Sequence, residues 1–536
     1  MIEETEPARM TATEASTLIS ARKLSCEELV SSCLTRIAAR DSDVKAWLWL
    51  DADHAIRRAR ELDKRERKSP LHGIPWGVKD VIDTADYPTT QNSPIYDGMR
   101  VGRDAASVAV VRGAGSIILG KTDTVEFASS GRKAVTRNPY HPAHTPGGSS
   151  SGSGAAVGDF QVHLAFGTQT GGSHIRPASF NGIYGFKPSW NRISREGVRM
   201  SSMTLDTIGW YGRGVEDLVL VAEAFRIPRE PEAVSVKGLR VGVSQSPVWR
   251  EIEPAGEQAL DLAARRLEEA GAIVFDLELP QPFNGLHTAQ MVIADSEGGV
   301  SFLPEYVNAN ALLSKELKDK VDNVLQITRE QLLKAYALAD SCRPMLDEMF
   351  GGKLDVILTP SSKGEAPVGL HTTGDAVFNR MWTLLHAPNV GVPVCFGPTN
   401  LPVGVTLVGP RLLDSRLLAI AAVCAPIIDR DAQVRKRACG QPDRPEDREG
   451  NYACEARIRY GPRFLPLVPH CSPYCAALAQ WGARRAGGDC QSGALGLEGS
   501  ARHAAACQSY GRPRGTVDRQ PTSVSGHRRL REPRVW

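Results

Sequence analysis

Two Gly-Gly-Ser turns lie 24 residues apart in this chain, at residues 147–149 and 171–173. A single lysine, Lys79, lies upstream in the apolar run 73–80. One serine hydroxyl can attack a carbonyl, a second can pass its proton, and a neutral lysine amine can receive it. The glycines permit sharp turns and let backbone N–H groups face a developing oxyanion. The pattern therefore predicts a nucleophile, a relay and a base that require neither histidine nor metal.

Each part of this pattern also has a simpler explanation. A serine after two glycines is most often a turn residue, and a lysine most often lies at the surface with its stem on apolar neighbours. Residues 147–154, taken alone, resemble a flexible Gly/Ser linker. The apolar flanks on both sides and the fixed spacing between the two turns argue against a linker. His174 is adjacent to Ser173 and cannot easily act as its base, because neighbouring side chains point apart.

Two other motifs match enzyme patterns by letter. Residues 115–122 fit the P-loop pattern, but a P-loop has its strand before the first glycine, whereas the apolar residues inside this motif read as the strand itself. Residues 148–152 fit the nucleophile elbow of α/β-hydrolases, which requires a strand immediately before it. Residues 142–146 do not resemble a strand, so we expect neither nucleotide binding nor an elbow.

Several motifs in the same order resemble those of the amidase signature family. The segment 145–189 is close to the family's defining segment, and the resemblance extends over roughly residues 10 to 425. Further matching motifs lie at residues 73–80, 119–128, 355–360 and 401–405. Ordered motifs at the right mutual spacing are far more specific than any single short pattern.

This resemblance implies an α/β fold with a mixed central sheet sandwiched between helices. It also implies a catalytic trio in which Ser173 is the nucleophile, Ser149 is the bridging serine, often preceded by a cis peptide, and Lys79 is the base. The oxyanion hole would be formed by backbone N–H groups of the turn that ends at Ser173, and Ser150 would add supporting hydrogen bonds. The remaining residues of that turn are Thr170, Gly171 and Gly172. No cofactor or metal is expected.

The chain departs from the family pattern at three places. Gln169 replaces a usual aspartate, and Arg176 lies one position later than the usual arginine. We expect both to support the site, and their joint change puts the family's charge pair in doubt rather than the catalytic trio. His386 stands where glycine is usual; it either narrows the pocket or is a structural histidine.

The function expected from this resemblance is hydrolysis of a carboxylic amide to an acid and an amine through an acyl-enzyme. One alternative is an amidotransferase subunit that releases ammonia for tRNA-dependent amidation, which would need partner subunits. Another is a catalytically silent or nucleic-acid-binding protein. The expected partner is a small-molecule amide rather than a nucleic acid, and a homodimer is an open alternative. We expect residues 286–350 and 380–390 to determine which amide is bound.

The composition divides the chain at about residue 428. We expect an amidase domain over 1–428 and a tail over 429–536 that is rich in Arg, Gly, Pro and Cys and packs little against it. Residues 438–536 contain fifteen arginines and no lysine. The tail is interpreted as disordered, as the product of out-of-frame translation, or as a nucleic-acid or metal module.

The remaining bulk features concern location. The acidic start differs from a secretion signal, and no apolar run approaches the ~18 residues of a membrane span. The five cysteines of the body show no pairing pattern. These features predict a cytoplasmic protein with reduced thiols.

Overall fold

A computed structural model describes residues 6–430, so the 429–536 tail lies almost entirely outside the described residues and its predicted character stays a prediction. Eleven strands are present in the described range. They are β1 (Trp47–Leu50), β2 (Pro75–Lys79), β3 (Ile117–Thr122), β4 (Leu164–Gln169), β5 (Tyr184–Lys187), β6 (Thr207–Gly212), β7 (Arg240–Val243), β8 (Ile273–Asp276), β9 (Val356–Pro360), β10 (Asn389–Phe396) and β11 (Pro402–Val408).

The same range contains fourteen α-helices. They are α1 (Ala12–Ser20), α2 (Cys26–Val44), α3 (Ala52–Asp63), α4 (Ala106–Gly113), α5 (Ser151–Gly158), α6 (Ile175–Phe180), α7 (Val215–Ala224), α8 (Pro254–Glu269), α9 (Leu286–Ser301), α10 (Leu303–Ala309), α11 (Lys315–Val321), α12 (Arg329–Met349), α13 (Arg380–Leu384) and α14 (Asp414–Ile428). No helix of this range combines the length and the apolar character needed to cross a bilayer.

All eleven strands form one mixed sheet, in the order β1-β3-β2-β4-β6-β5-β10-β11-β9-β7-β8. Strand β2 pairs in parallel with both β3 and β4, while β6, β5, β10, β11 and β9 follow in antiparallel pairs. At the far edge β7 is parallel to β9 and β8. This is the mixed sheet that the resemblance implied, and the α/β prediction is confirmed.

The central strands are covered on both faces. Alternate side chains of β2 and β4, such as Trp76 and Phe166, belong to the larger apolar cluster, which also includes residues of α7, α8 and α14. Ala165, which points to the opposite face, packs in a second cluster with residues of α2, α3 and α5. Because the central strands are buried on both faces, their ends also lie deep in the protein. Lys79, at the end of β2, is therefore buried.

Local sequence signals account for several elements. Ser25 and Glu28 form a capping box at the start of α2. The P-loop match is rejected as expected, because β3 begins at Ile117 inside the motif and Lys121 lies in that strand. The sequence alone does not identify strands β1, β2, β5, β6 and β10. The glycines within β5 and β6 obscure the alternation of apolar and polar residues that would indicate a strand. Glycine is required at Gly209, because a Cβ there would lie only 2.4 Å from the Phe186 carbonyl oxygen.

Candidate active site

Lys79 ends strand β2 and is completely buried. Its Nζ lies 2.7 Å from Ser149 Oγ, 3.0 Å from Ser150 Oγ and 2.7 Å from Thr168 Oγ1. All three of these hydrogen-bond partners are neutral hydroxyls. Lys79 therefore lies beside the first Gly-Gly-Ser turn, as expected, and it is not a surface lysine.

The hydroxyl groups around Lys79 suit an uncharged amine. Ser150 Oγ donates to the Thr168 carbonyl at 3.2 Å, so towards Lys79 it acts as an acceptor. A neutral amine has two N–H donors and one lone pair. Since Nζ contacts three hydroxyls and can donate to only two of them, either Ser149 or Thr168 must donate its own proton to Nζ. Donation by Ser149 would point its proton along the path that a relay needs.

Burial lowers the pKa of Lys79 well below its ordinary value, because the charged form is desolvated. The Asp206 carboxylate acts in the opposite direction and only partly offsets burial. That carboxylate accepts hydrogen bonds from Thr170 Oγ1 and from the Ser201 and Ser202 N–H groups. The lysine therefore lacks a hydrogen-bonded counter-ion among the described residues.

The first Gly-Gly-Ser turn brings Ser149 to the lysine. Gly147 has φ of +83°, a conformation that favours glycine, and the Gly148–Ser149 peptide is cis, as the resemblance implied. Helix α5 follows at once and is buried along its whole length. A Cβ at Gly152 would lie 2.2 Å from the Ala46 carbonyl oxygen, so the small residues of this segment permit close packing. The linker interpretation of residues 147–154 is wrong.

The second turn is held by its carbonyl groups. Four donors, one to each carbonyl of residues 170–173, fix the backbone. They are Gln290 Nε2 to Thr170 at 2.9 Å, Thr383 Oγ1 to Gly171 at 2.7 Å, Arg176 N to Gly172 at 3.1 Å and Ser150 N to Ser173 at 3.3 Å. The N–H groups of Gly171, Gly172 and Ser173 donate to no other described residue. They are thus the free donors of this turn.

Glycine is sterically required at the centre of this turn. A Cβ at Gly172 would lie 2.4 Å from Asn379 Oδ1 and 2.9 Å from Ala376 Cβ. Neither Gly171 nor Gly172 has a positive φ, in contrast to Gly147. In the second turn glycine therefore provides close approach rather than an unusual backbone conformation.

Gln169 supports the start of helix α6. Its Oε1 accepts from the N–H groups of His174 and Ile175, both at 3.0 Å, and its Nε2 donates to Thr383 Oγ1 at 3.0 Å. An aspartate could make the two acceptor contacts, but only an amide can also donate. The glutamine therefore ties the second turn to helix α13 without adding a charge.

The two histidines near the motifs are structural. His174 is buried and stacked on Tyr211, and burial lowers its pKa to about 3. His386 has φ of +61°, which explains why glycine is usual there, and its Nε2 lies 2.9 Å from the Thr204 carbonyl oxygen. It stacks on Trp190 and is absent from the pocket wall. Of the two alternatives for His386, these contacts favour the structural histidine.

A pocket of about 260 Å³ connects the two turns. Ser149, Ser173 and Arg176 lie in its wall together with the residues 170–172, and Lys79 lies behind Ser149. Another part of the wall comes from helix α9, within the region 286–350 that was expected to determine the substrate. Its lining residues there are Gln290, Met291, Ala294 and Asp295.

Sequence reasoning missed three residues that organise this site. Thr168 is the third hydroxyl on Lys79, while Gln290 and Thr383 hold the second turn. Thr168 lies inside the matched segment and its alternation in β4 could have indicated it. Gln290 and Thr383 lie far away along the chain, and no local pattern distinguishes them from other helical polar residues.

Comparison with known protein families shows that the model of the amidase family matches residues 28–418 of this chain. This chain belongs to the amidase family. A glutamyl-tRNA(Gln) amidotransferase subunit from Symbiobacterium thermophilum is 34% identical to it over 469 residues, covering 77% of this chain and 95% of that protein.

Solved structures agree with the family assignment. The crystal structure of an amidase matches this amidase-family chain with a TM-score of 0.70 and 26% identity, covering 77% of this chain and 99% of that one. A glutamyl-tRNA(Gln) amidotransferase subunit from Thermotoga maritima matches with a TM-score of 0.66 and 27% identity, covering 79% and 96%.

Proposed function

We propose that this protein cleaves a carboxylic amide, with Ser173 as nucleophile, Ser149 as proton relay and Lys79 as base. The observation that carries this proposal is the buried Lys79 amine, which is surrounded by hydroxyls and lies behind a serine of the pocket wall. A lysine in such a place is unprotonated at a far lower pH than a surface lysine, and it can therefore accept a proton near neutrality.

In the acylation step the Ser173 oxygen attacks the amide carbon. Its proton passes to Ser149 Oγ while the Ser149 proton passes to Lys79 Nζ. Collapse of the tetrahedral intermediate breaks the C–N bond, and the leaving amine takes a proton from Ser149, which regains one from Lys79. Water then attacks the acyl-enzyme by the same relay, which releases the acid and restores Ser173.

The free N–H groups of the second turn support an oxyanion hole. Donors that are fixed before the reaction stabilise the tetrahedral intermediate without reorganisation. The carbonyls of residues 170–173 are all held by other groups, so the peptide planes between them have fixed directions. We assign the oxyanion to the N–H groups of Gly171, Gly172 and Ser173, with Thr170 completing the turn.

Covalent labelling tests the nucleophile. A fluorophosphonate should modify Ser173, and Ser173→Ala should abolish both labelling and amide hydrolysis. Ser201→Ala is the matched control, because Ser201 also lines the pocket but takes no part in the proposed proton relay. Labelling that persists in Ser173→Ala, or a modified peptide that maps to Ser150, would contradict the assignment.

A second candidate function is favoured by the similar proteins. The 34% identical protein is an amidotransferase subunit, and its match spans nearly its full length. Of the alternatives raised by the sequence, the comparisons therefore favour an ammonia-releasing subunit over a free-standing hydrolase of linear amides. The same triad would serve both, with glutamine as the amide in the amidotransferase.

Copurification distinguishes the two candidates. Expressed at its natural level with an affinity tag, an amidotransferase subunit should be recovered with partner subunits, and its release of ammonia from glutamine should depend on them. A free-standing hydrolase should instead be fully active alone on other amides. A cytoplasmic location stays a prediction for either candidate, and a homodimer stays an open alternative.

A further inference from the structure

Gln290 connects the wall of the pocket to the second Gly-Gly-Ser turn. It lies on helix α9, lines the pocket and is only 3% exposed. Its Nε2 donates to the Thr170 carbonyl oxygen at 2.9 Å. Because a carbonyl oxygen can only accept, this contact also determines which way the amide group of Gln290 faces. The pocket wall and the turn are thus joined by one directed hydrogen bond.

This hydrogen bond sets the direction of a neighbouring donor. The Thr170 carbonyl and the Gly171 N–H group belong to the same peptide unit, which is trans. In a trans peptide the two groups point in opposite directions within one plane, so a donor that holds the carbonyl also fixes the N–H. The Gly171 N–H group is one of the three donors assigned above to the oxyanion.

The turn depends on outside donors for its orientation. Gly171 and Gly172 permit a wide range of backbone conformations, so the local sequence does not fix the peptide planes between them. The Gly171 carbonyl accepts from Thr383 Oγ1 at 2.7 Å. The Gly172 carbonyl accepts from the backbone N–H of Arg176, within helix α6. Of the two side chains that donate to carbonyls of residues 170–173, Gln290 lines the pocket, whereas Thr383 is not part of its described lining.

Helix α9 is itself anchored close to the turn. Glu297, about two helical turns after Gln290, accepts from the Thr204 N–H group at 3.0 Å and from Thr204 Oγ1 at 2.6 Å. The hydroxyl of Thr170 donates to Asp206, which lies in the same loop as Thr204. The helix and the turn are therefore attached to one loop, and this loop keeps Gln290 at a defined distance from the Thr170 carbonyl.

We propose that Gln290 is a positioning residue, which holds the Thr170–Gly171 peptide so that the Gly171 N–H group faces the developing oxyanion. The inference rests on the proposed amide cleavage. Outright loss of one oxyanion donor typically slows a reaction by about 10²–10³-fold. Gln290 orients such a donor without replacing it, so its removal should slow the reaction by about tenfold. The effect should fall on the reaction step rather than on binding, because the oxygen gains its charge only in the transition state.

The kinetics of phosphonylation separate binding from reaction. The Ser173 oxygen bonds to phosphorus, the P–F bond breaks with loss of fluoride, and the serine proton passes through Ser149 to Lys79. The phosphoryl oxygen takes the place of the amide oxygen at the oxyanion donors. Rates measured over a range of fluorophosphonate concentrations give a maximal rate constant and a half-saturating concentration. Gln290→Met has a similar length but no donor; it should lower the maximal rate constant about tenfold and leave the half-saturating concentration within about twofold.

Two further variants control for folding and packing. Gln290→Asn keeps the amide but is one methylene shorter, so it should reproduce most of the loss, and it decides the matter if Gln290→Met fails to fold. Val292 is buried on the same helix and is not part of the described pocket lining. Val292→Ala should lower the free energy of unfolding, because it leaves a cavity beneath α9. Its maximal rate constant should nevertheless stay within about twofold of that of the unchanged protein.

The outcomes separate this inference from the proposed function. A maximal rate constant that is the same in both Gln290 variants as in the unchanged protein would overturn the positioning role, even if Ser173 is labelled throughout. A change confined to the half-saturating concentration would make Gln290 a binding residue and would overturn it as well. An equal loss of rate in Val292→Ala would trace the effect to the packing of α9. Absence of labelling in the unchanged protein would refute Ser173 as the nucleophile, and the oxyanion role of Gln290 with it.

Discussion

Two completely buried lysines lie on adjacent parallel strands, Lys79 on β2 and Lys121 on β3, and their surroundings differ in one respect. Lys121 Nζ lies 3.2 Å from Asp80 Oδ1 and donates to Thr89 Oγ1 at 2.7 Å. Lys79 is hydrogen-bonded to hydroxyls only. The neighbouring sites thus have similar burial but contrasting compensation for the lysine's charge.

This difference separates a structural lysine from a proposed catalytic one. Burial lowers the pKa of both amines, but for Lys121 the Asp80 carboxylate is the largest opposing influence. A buried ion pair keeps its proton because removing it would leave the carboxylate unpaired. Asp80 follows Lys79 directly in sequence, yet its carboxylate lies beside Lys121.

The largest expected contrast is in stability. Lys121→Met leaves Asp80 as a buried carboxylate without its cation, and should lower the free energy of unfolding by about 3–5 kcal/mol. Lys79→Met removes no ion pair and should cost clearly less. Urea unfolding of both variants at pH 7 makes the comparison. Equal losses would show that the two lysines are compensated alike.

The next contrast is in catalysis. Lys79→Ala removes the proposed base and should slow acylation by about 10²-fold or more. Lys121→Ala is the matched control, and its folded fraction should retain acylation within a few-fold of the unchanged protein. The rates are measured with a fluorophosphonate and corrected for the folded fraction by circular dichroism. A comparable loss in both variants would remove the distinction.

A smaller effect is expected at Thr168. Thr168→Val keeps the side-chain shape but removes one hydrogen-bond partner of Lys79. The loss of one such bond typically corresponds to about 1 kcal/mol, so acylation should fall roughly fivefold. Thr89→Val removes the equivalent hydroxyl from Lys121 and should leave acylation unchanged. An effect of Thr89→Val as large as that of Thr168→Val would mean that the hydroxyls act through general packing.

The sequence predicted the elements of this comparison unevenly. Lys79 and the two serine turns could be recognised because each belongs to a short motif with strict steric or chemical demands. The apolar residues before Lys121 could be recognised as a strand, which excluded Lys121 as a P-loop lysine. The ion pair between Lys121 and Asp80 could not be predicted, because the direction of a side chain at a strand end depends on tertiary packing.

The pocket was less predictable than the chemistry. Helix α9 forms part of the pocket wall, and the hydrogen bond of its Gln290 to Thr170 spans 120 residues of sequence. The unusual position of Arg176 was visible as a departure from the family pattern. Its hydrogen bonds to the Thr373 and Gly148 carbonyls could not be predicted, because only the fold brings these groups together. At position 386 the family usually has glycine, and the replacement by His386 could have concerned the pocket. The positive φ of this residue explains instead why glycine is usual there.

The pH dependence of Ser173 phosphonylation tests the central claim, that Lys79 is a neutral base, most directly. An amine accepts a proton only when it is deprotonated, so lowering the pH through its pKa in the folded protein should abolish the reaction. The rate constant should rise with pH and reach a plateau well below the ordinary lysine pKa of 10.5. In Lys79→Ala it should be low and continue to rise as hydroxide replaces the base. The same profile in both proteins would contradict the account.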